Sequence, residues 1–301
     1  MINIFSIPKP FTGQIRTIQY NALSSWTNLD KDIEVILLCN ETGIDEAATR
    51  FKVTVIKDID KNSYGTPLLN SAFKSVFDKA KFDILCYVNA DILLTPLFLQ
   101  VLKNIHKHPF LAVVRRMNIS VTAEFDFSVP GKYAEIETYA NKTGKIGQYW
   151  EIDCFAFSKN EILVDLPPFA VGRPVWDLWY IYHALSHKIP VIDMSDSVMV
   201  YHQDHDYGHV KNRTGHRWEG PEAEENRKLL NNSSQTLSIA NATHVIKNGK
   251  VVRALDFFHL RVYIGSLPAF YPRLTGLIHL IRKVKRFLCS GFKTRKRPLQ
   301  R

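Results

Sequence analysis

Two uninterrupted apolar runs constrain this chain more than anything else in it: residues 33–39 (IEVILLC) and residues 82–88 (FDILCYV), each broken by a single acid near its start. A half-buried strand alternates apolar and polar side chains. A run without alternation is a strand covered on both faces, as in the middle of a parallel sheet. Helical patterns flank both runs. Around residues 16–29, Ile15, Ile18, Ala22 and Trp26 fall on one stripe; over residues 67–80, Leu68, Leu69, Ala72, Phe73, Val76, Phe77 and Ala80 form an apolar face behind Pro67. Strands at 2–7 and 53–56, a short helix at 46–51 and a helix at 96–105 complete a strand–helix rhythm that predicts an α/β fold with a three-layer, mostly parallel sheet. Such sheets bind ligands beyond the carboxyl ends of their strands.

The second half is less regular. Strands are expected at 111–116, Cys154–Ser158, Val191–Asp193 and 197–201, and helices at 175–187 and 222–230. A last helix is expected at 271–288, where Leu274, Leu277, Ile278, Ile281, Val284 and Leu288 recur at helical spacing and Arg282, Lys283, Lys285 and Arg286 crowd the end. The chain thus divides into one α/β domain over residues 1–255 and a basic amphipathic C-terminal segment over residues 256–301.

A formal net charge of +10 suggests nucleic acid, but its placement argues otherwise. Residues 257–301 hold 11 Lys/Arg and no Asp or Glu, which leaves residues 1–256 near neutral with 28 basic and 29 acidic side chains. The basic residues also lack interleaved aromatics, so no nucleic-acid partner is expected. A cationic amphipathic tail suits an anionic membrane surface instead. Cys39, Cys86, Cys154 and Cys289 form no CxxC and suit a reducing compartment. Pro8 interrupts the opening strand before a signal sequence can form, and no apolar run approaches the ~18 residues that span a bilayer. The expected location is cytoplasmic, peripheral on the inner face of the membrane.

Three stretches carry chemistry. Asn89-Ala90-Asp91 ends a buried strand, where a carboxylate can hold Mg²⁺ or Mn²⁺ against a diphosphate; the alternative is a helix N-cap. Residues 201–209 (YHQDHDYGH) pack three His and two Asp into a loop leaving a strand, a donor set for Mn²⁺- or Zn²⁺-class ions, with a solvated turn as the alternative. In Val175-Trp176-Asp177-Leu178-Trp179 an acid lies between two tryptophans: Trp176 and Trp179 suit the apolar face of a sugar and Asp177 a hydroxyl proton, or the rings simply belong to the core. Weaker candidates are the loop Tyr64-Gly65-Thr66, whose backbone N–H groups suit a phosphate or base unless it is an ordinary turn, the pair Arg115-Arg116 at a strand end, suited to phosphates or a solvated terminus, and Glu151 and Asp153 as two acids toward an acceptor or a plain surface loop. There is no P-loop, no GxGxxG and no Gly-x-Ser-x-Gly elbow.

Residues 4–11 (IFSIPKPF), 64–68 (YGTPL) and 87–94 (YVNADILL), followed in order by 167–174 (PPFAVGRP), 176–179 (WDLW) and 202–207 (HQDHDY), together resemble glycosyltransferases of the GT-A fold, most closely a family-2-like group carrying an Asn-Ala-Asp-Ile version of the DxD motif. The resemblance covers residues 1 to about 210. It implies a nucleotide-diphosphate sugar as co-substrate and a divalent cation, Mn²⁺ or Mg²⁺, held by Asp91 and His202. It further implies Asp177 as the catalytic base and nucleoside contacts from Asn40 and Glu41; the residue readings add Pro8, Tyr64, Gly65, Thr66, Asn89, Asp91 and Arg115 as nucleotide contacts and Asp153, Trp176, Trp179 and His205 as acceptor or sugar contacts. Asn89 departs from the usual pair of acids. The resemblance gives a reaction class and no substrate; with the basic tail, the acceptor expected is a glycan or lipid-linked hydroxyl in bacterial surface glycan or glycolipid assembly. A nucleotidyltransferase shares the sheet but opens with a Gly-rich phosphate loop, and residues 8–13 (PKPFTG) are poor in Gly. A non-catalytic basic binding module is the alternative outside enzymes; it would have no need of Asp91.

Overall fold

The computed structural model describes residues 2–205, 219–278 and 280. Its strands are β1 (Ile2–Ser6), β2 (Ile33–Leu38), β3 (Thr54–Ile56), β4 (Ile84–Val88), β5 (Ile92–Leu93), β6 (Leu111–Val113), β7 (Arg116–Ile119), β8 (Lys145–Ile146), β9 (Cys154–Ser158), β10 (Val191–Asp193), β11 (Val200–Gln203), β12 (His244–Lys247) and β13 (Lys250–Arg253). The helices are α1 (Gly13–Thr27), α2 (Ile44–Phe51), α3 (Leu69–Lys79), α4 (Pro96–Lys103), α5 (Lys132–Thr143), α6 (Glu161–Val164), α7 (Trp176–Ser186), α8 (Pro221–Lys228) and α9 (Phe257–Phe270).

Nine strands form the main sheet in the order β13-β12-β10-β6-β9-β4-β1-β2-β3. The sheet is mostly parallel: β9 runs against both its neighbours and β13 against β12. The two apolar runs became β2 and β4, which flank β1 in parallel register. Along β1 the side chains alternate between two cores, Ile4 on one face and Phe5 on the other. Phe5 joins Phe73 of α3, Tyr87, Phe157 and Tyr180 of α7 in an aromatic cluster; Ile4 joins Trp26 of α1, Cys86 and Phe98 of α4. The Phe73 and Phe157 rings stack at 5.7 Å, so Phe73→Ala would cost roughly 3–5 kcal/mol in transfer and cavity energy. Two covered faces are the reason neither β2 nor β4 alternates in polarity.

The chain builds outward from β1 through β2 to β3, then returns to place β4 on the other side of β1. The carboxyl ends of β1 and β4 therefore border a topological switch point, where chain crossovers diverge and leave a crevice.

A second, four-stranded sheet runs β5-β11-β7-β8. β5 follows Asp91 directly and pairs antiparallel with β11, Ile92 opposite His202. The single strand expected over 111–116 is two: β6 stays in the main sheet, and the chain crosses at Val114-Arg115 to begin β7 in the second sheet. The expected helix start at Pro67 is extended chain, and α3 begins at Leu69. Unexpected were the short elements β5, β8 and α6, the helices α5 and α9, and the β12–β13 hairpin, whose Asn248-Gly249 turn has φ of 51° and 71°.

α9 lies in the expected C-terminal segment and packs onto the body. Phe258 meets the Tyr149 ring at 5.6 Å, and Phe270 stacks on Tyr182 at 5.6 Å. Residues 281–288 of the expected last helix, and the basic run 293–297, lie outside the described residues. Among the described residues no helix is long and apolar enough to cross a membrane.

Candidate active site

β4 ends in the turn Asn89-Ala90-Asp91, closed by the Ile92 N–H donating to the Asn89 carbonyl at 3.1 Å. The neighbouring backbone is anchored from two sides. Trp26 Nε1 donates to the Ile92 carbonyl at 2.9 Å, and the backbone N–H of Gln203 donates to the Asp91 carbonyl at 3.1 Å. Gln203 is itself buried, its amide donating to the Ile18 carbonyl and accepting from Asn21, each at 2.9 Å. The end of β11 is thereby fixed against Asp91.

Two histidines from this end converge on one carboxylate oxygen. His205 Nε2 lies 2.9 Å, and His202 Nε2 3.8 Å, from Asp91 Oδ2. One potential ligand atom from each of the three residues lies within 4.8 Å of the others. Lys9, directly beyond β1, brings Nζ to 3.9 Å from the same oxygen and 3.4 Å from His205 Nε2. Its backbone is clamped by Gln19, which accepts from the Lys9 N–H at 2.7 Å and donates to the Lys9 carbonyl at 2.9 Å. Burial pushes the Asp91 carboxyl upward, but the charges of His202, His205 and Lys9 outweigh it and hold it well below the usual range. Burial lowers His202, and Asp91 then Asp204 more than reverse that, so its imidazole is raised.

This donor set fits a divalent cation. Asp91 Oδ1 is buried and meets no hydrogen-bond partner among the described residues, which is costly unless something positive or donating completes it. One carboxylate with two imidazoles suits Mn²⁺ or Zn²⁺ better than Mg²⁺, which prefers all-oxygen ligands. His205, expected at the acceptor, sits instead in the cation cluster. The Asp206–His209 end of the polar stretch lies outside the described residues.

Asn89 and Asp153 are bonded to each other beside this cluster, where the Asp153 charge also helps to raise His202. Asn89 Nδ2 donates to Asp153 Oδ1 at 2.6 Å, and Arg116 Nη1 donates to Asp153 Oδ2 at 2.6 Å. Both Asp153 oxygens are engaged, which corrects the expectation of an acceptor contact there. Arg116 also reaches Glu151 Oε1 at 2.9 Å. Arg115, expected at a phosphate, points elsewhere: its Nη2 donates to the Gly147 carbonyl at 2.7 Å and its guanidinium lies 4.5 Å from the Tyr149 ring centre.

Asp177 occupies the first turn of α7, after Val175 with φ of 82°, a conformation that costs a β-branched residue on the order of 1–3 kcal/mol. Its Oδ1 accepts the Leu178 N–H at 2.9 Å. Burial pushes its carboxyl up to about 7; the Leu178 N–H opposes this and the negative charge of Asp153 adds to it. The buried Tyr87 hydroxyl is raised first by burial and then by Asp91, Asp153 and Asp177, so these carboxylates share one electrostatic neighbourhood beyond β4.

The tryptophans beside Asp177 are core residues, against the expectation of a sugar platform. Trp176 packs edge-on against Tyr87 at 5.2 Å; Trp179 stacks on His183 at 4.5 Å and leans on Phe169. The loop Tyr64-Gly65-Thr66 has no backbone donors left for a phosphate. Asn62 Oδ1 accepts from Tyr64 and Thr66 at 3.0 and 2.9 Å, and the Asn62 carbonyl takes the Gly65 N–H at 2.9 Å. The Tyr64 ring is 42% exposed and available for stacking. Pro8, Asn40 and Asp91 follow β1, β2 and β4, which are parallel, so all three lie along one sheet edge. Glu41, next to Asn40, lies 3.4 Å from Lys61. Lys9 was missed in the sequence, and Arg116, expected with Arg115 at a phosphate, instead binds Asp153 and Glu151. The position of Lys9 directly after the first strand is the one signal that marks it.

No protein-family model matches this chain, and no curated protein matches it. Solved structures are similar to it over about two thirds of its length. Glucosyl-3-phosphoglycerate synthase from Mycobacterium tuberculosis, in complex with Mg²⁺ and uridine diphosphate, aligns at 13% identity and a TM-score of 0.43, covering 68% of this chain and 72% of its own. The mannosyltransferase PcManGT from Pyrobaculum calidifontis, in complex with GDP-mannose and Mn²⁺, aligns at 15% identity and a TM-score of 0.43, covering 69% and 58%. TarS residues 1–349 from S. aureus, in complex with UDP-GlcNAc, align at 11% identity and a TM-score of 0.45, covering 69% and 60%.

Proposed function

We propose that this chain is a GT-A-type glycosyltransferase that moves a sugar from a nucleotide-diphosphate donor to an acceptor hydroxyl. The observation that carries the reading is the Asp91–His202–His205 cluster beyond β4 at a switch point, with the buried Asp177 carboxylate sharing its electrostatic neighbourhood around Tyr87. The first is suited to a diphosphate and the second to taking a proton from a hydroxyl at physiological pH.

Asp91, His202 and His205 would hold a divalent cation, Mn²⁺ or Mg²⁺, which neutralises the diphosphate as it leaves. Lys9 adds a fixed positive charge on the same side. Asp177 takes the acceptor hydroxyl proton while that oxygen bonds to the anomeric carbon. The bond from that carbon to the phosphate oxygen breaks, and its electron pair departs on the nucleoside diphosphate. Along the donor edge, Pro8, Asn40, Glu41 and the Tyr64 ring flank the crevice and contact the nucleoside. The acceptor we propose is a glycan or lipid-linked hydroxyl of bacterial surface glycan or glycolipid assembly.

Calorimetric titration of UDP and of GDP, with and without Mn²⁺, tests this on the natural chain and on Asp91→Ala. Metal-dependent binding that Asp91→Ala removes supports the reading and identifies the base. Absence of binding by either nucleotide with any divalent metal would refute it.

A further inference from the structure

α9 is apolar on two sides, yet only one of them is covered. Phe258, Ala269 and Phe270 pack onto the body, whereas Phe257, Leu260 and Ile264 recur at i, i+3 and i+7 on a face that meets solvent, with Tyr263 beside them. Phe257 is 81% exposed and Leu255, just before the helix, 78%. A helix apolar on all sides is ordinarily buried, and a contiguous exposed apolar patch marks a contact surface.

Charge decides what covers it. Arg261 on α9 and Arg253 and Arg273 in the segments on either side of it are exposed, the N-cap acid Asp256 is paired with His259, and from residue 257 to the C-terminus the chain carries 11 Lys/Arg and no acid. A second copy of the chain, meeting this face through a two-fold axis, would set cation against cation. A nucleic acid would satisfy the charge but has no use for Phe257, Leu260 and Ile264. A surface that is both anionic and able to admit apolar side chains answers both features.

We infer that the outer face of α9 docks on the headgroup region of an anionic lipid bilayer, with Phe257, Leu260 and Ile264 inserted and the arginines on the lipid phosphates. α9 is joined to the site by the Tyr149–Phe258 contact, because Tyr149 lies in the loop that leads through Glu151 to Asp153. The same loop carries Trp150, 58% exposed. This docking surface stands whether or not the glycosyl-transfer reading does; if both hold, it sets the enzyme beside an acceptor embedded in the same bilayer.

Co-sedimentation of the full chain with vesicles of phosphatidylcholine alone, and of phosphatidylcholine with phosphatidylglycerol, tests it. The variants are Phe257→Ser/Leu260→Ser/Ile264→Ser and Arg261→Glu/Arg273→Glu, both at exposed positions that leave the core intact. The natural chain is expected on the anionic vesicles only, with at least a roughly tenfold loss in each variant. Thermal melting and UDP or GDP titration, unchanged in both variants, separate this result from a failure to fold or to bind donor. Equal binding by the serine variant and the natural chain would overturn the proposal, as would no vesicle binding at all. So would a concentration-dependent dimer, or an RNA complex, that the same substitutions abolish in place of vesicle binding.

Discussion

Asn89 and Asp153 are joined by a 2.6 Å hydrogen bond, amide to carboxylate, across the ends of the antiparallel pair β4–β9. This bond accounts for the amide at a position where related motifs carry an acid. An aspartate at residue 89 would face Asp153 as a second carboxylate at hydrogen-bonding distance, and two such groups cannot both ionise without heavy cost. Asn89→Asp, which restores two acids to the turn, is therefore expected not to tighten Mn²⁺ binding. It should lower stability by roughly 1–3 kcal/mol at pH 8 and less at pH 5, where one of the pair takes up a proton. Urea unfolding at the two pH values and Mn²⁺ titration check this.

Arg116 holds Asp153 and Glu151 together in a nearly dry setting, at 2.6 and 2.9 Å. Removing the cation leaves a carboxylate at Asp153 with little water to compensate it. Arg116→Met should cost about 3–5 kcal/mol, and adding Asp153→Leu to it should restore part of that loss. The measurement is a double-mutant cycle by urea unfolding.

Asp177 carries a pH prediction with a definite sign. Its carboxyl is raised from 3.8 to about 7, so the folded chain binds the proton more tightly than the unfolded chain does. The group's favourable contribution is complete below about pH 4 and is lost as pH rises to about 7. Asp177→Asn should accordingly melt above the natural chain at pH 8 and level with it at pH 4. In catalysis the ionised form is the competent one, so kcat/KM should rise through pH 7. Asp177→Asn should lower kcat by roughly 10²–10⁴ while leaving nucleotide binding intact.

The imidazoles should also dictate which cation is preferred. Mn²⁺ should bind the natural chain at least tenfold more tightly than Mg²⁺, and His205→Asp, which replaces nitrogen with oxygen, should narrow that gap. Calorimetry with each ion gives the ratio, and the nitrogen couplings in the Mn²⁺ paramagnetic resonance spectrum should fall from two imidazoles to one.

The sheet was legible because β2 and β4 are covered on both faces and say so in their composition. α5 was not, since it buries only Ile136 and Ala140 and so shows a weak apolar stripe. The β12–β13 hairpin announced itself in Asn248-Gly249, a turn that favours positive φ at both residues, and was overlooked among flanking lysines. At the site, Asp91 and His202 could be read from a strand end and a dense polar run. The choice between Arg115 and Arg116 could not. Residues 111–116 read as one strand, and the break after Val113 reassigns the direction of each later side chain, turning Arg116 inward. Trp176 and Trp179 misled for a related reason: an aromatic pair in a buried helix has the same composition as an aromatic sugar platform.

The pairing of β5 with β11 also sets the order in which the chain can be assembled. His205 follows Asp91 by 114 residues, and β5, only two residues long, pairs with no other strand among the described residues. While the protein is being synthesised, Asp91 and Lys9 are therefore present before β11 arrives and brings both imidazoles with it. A half-made chain offers a metal ion a single weak ligand. The three-residue donor set proposed above for an ion is thus complete only in molecules in which β5 and β11 have paired.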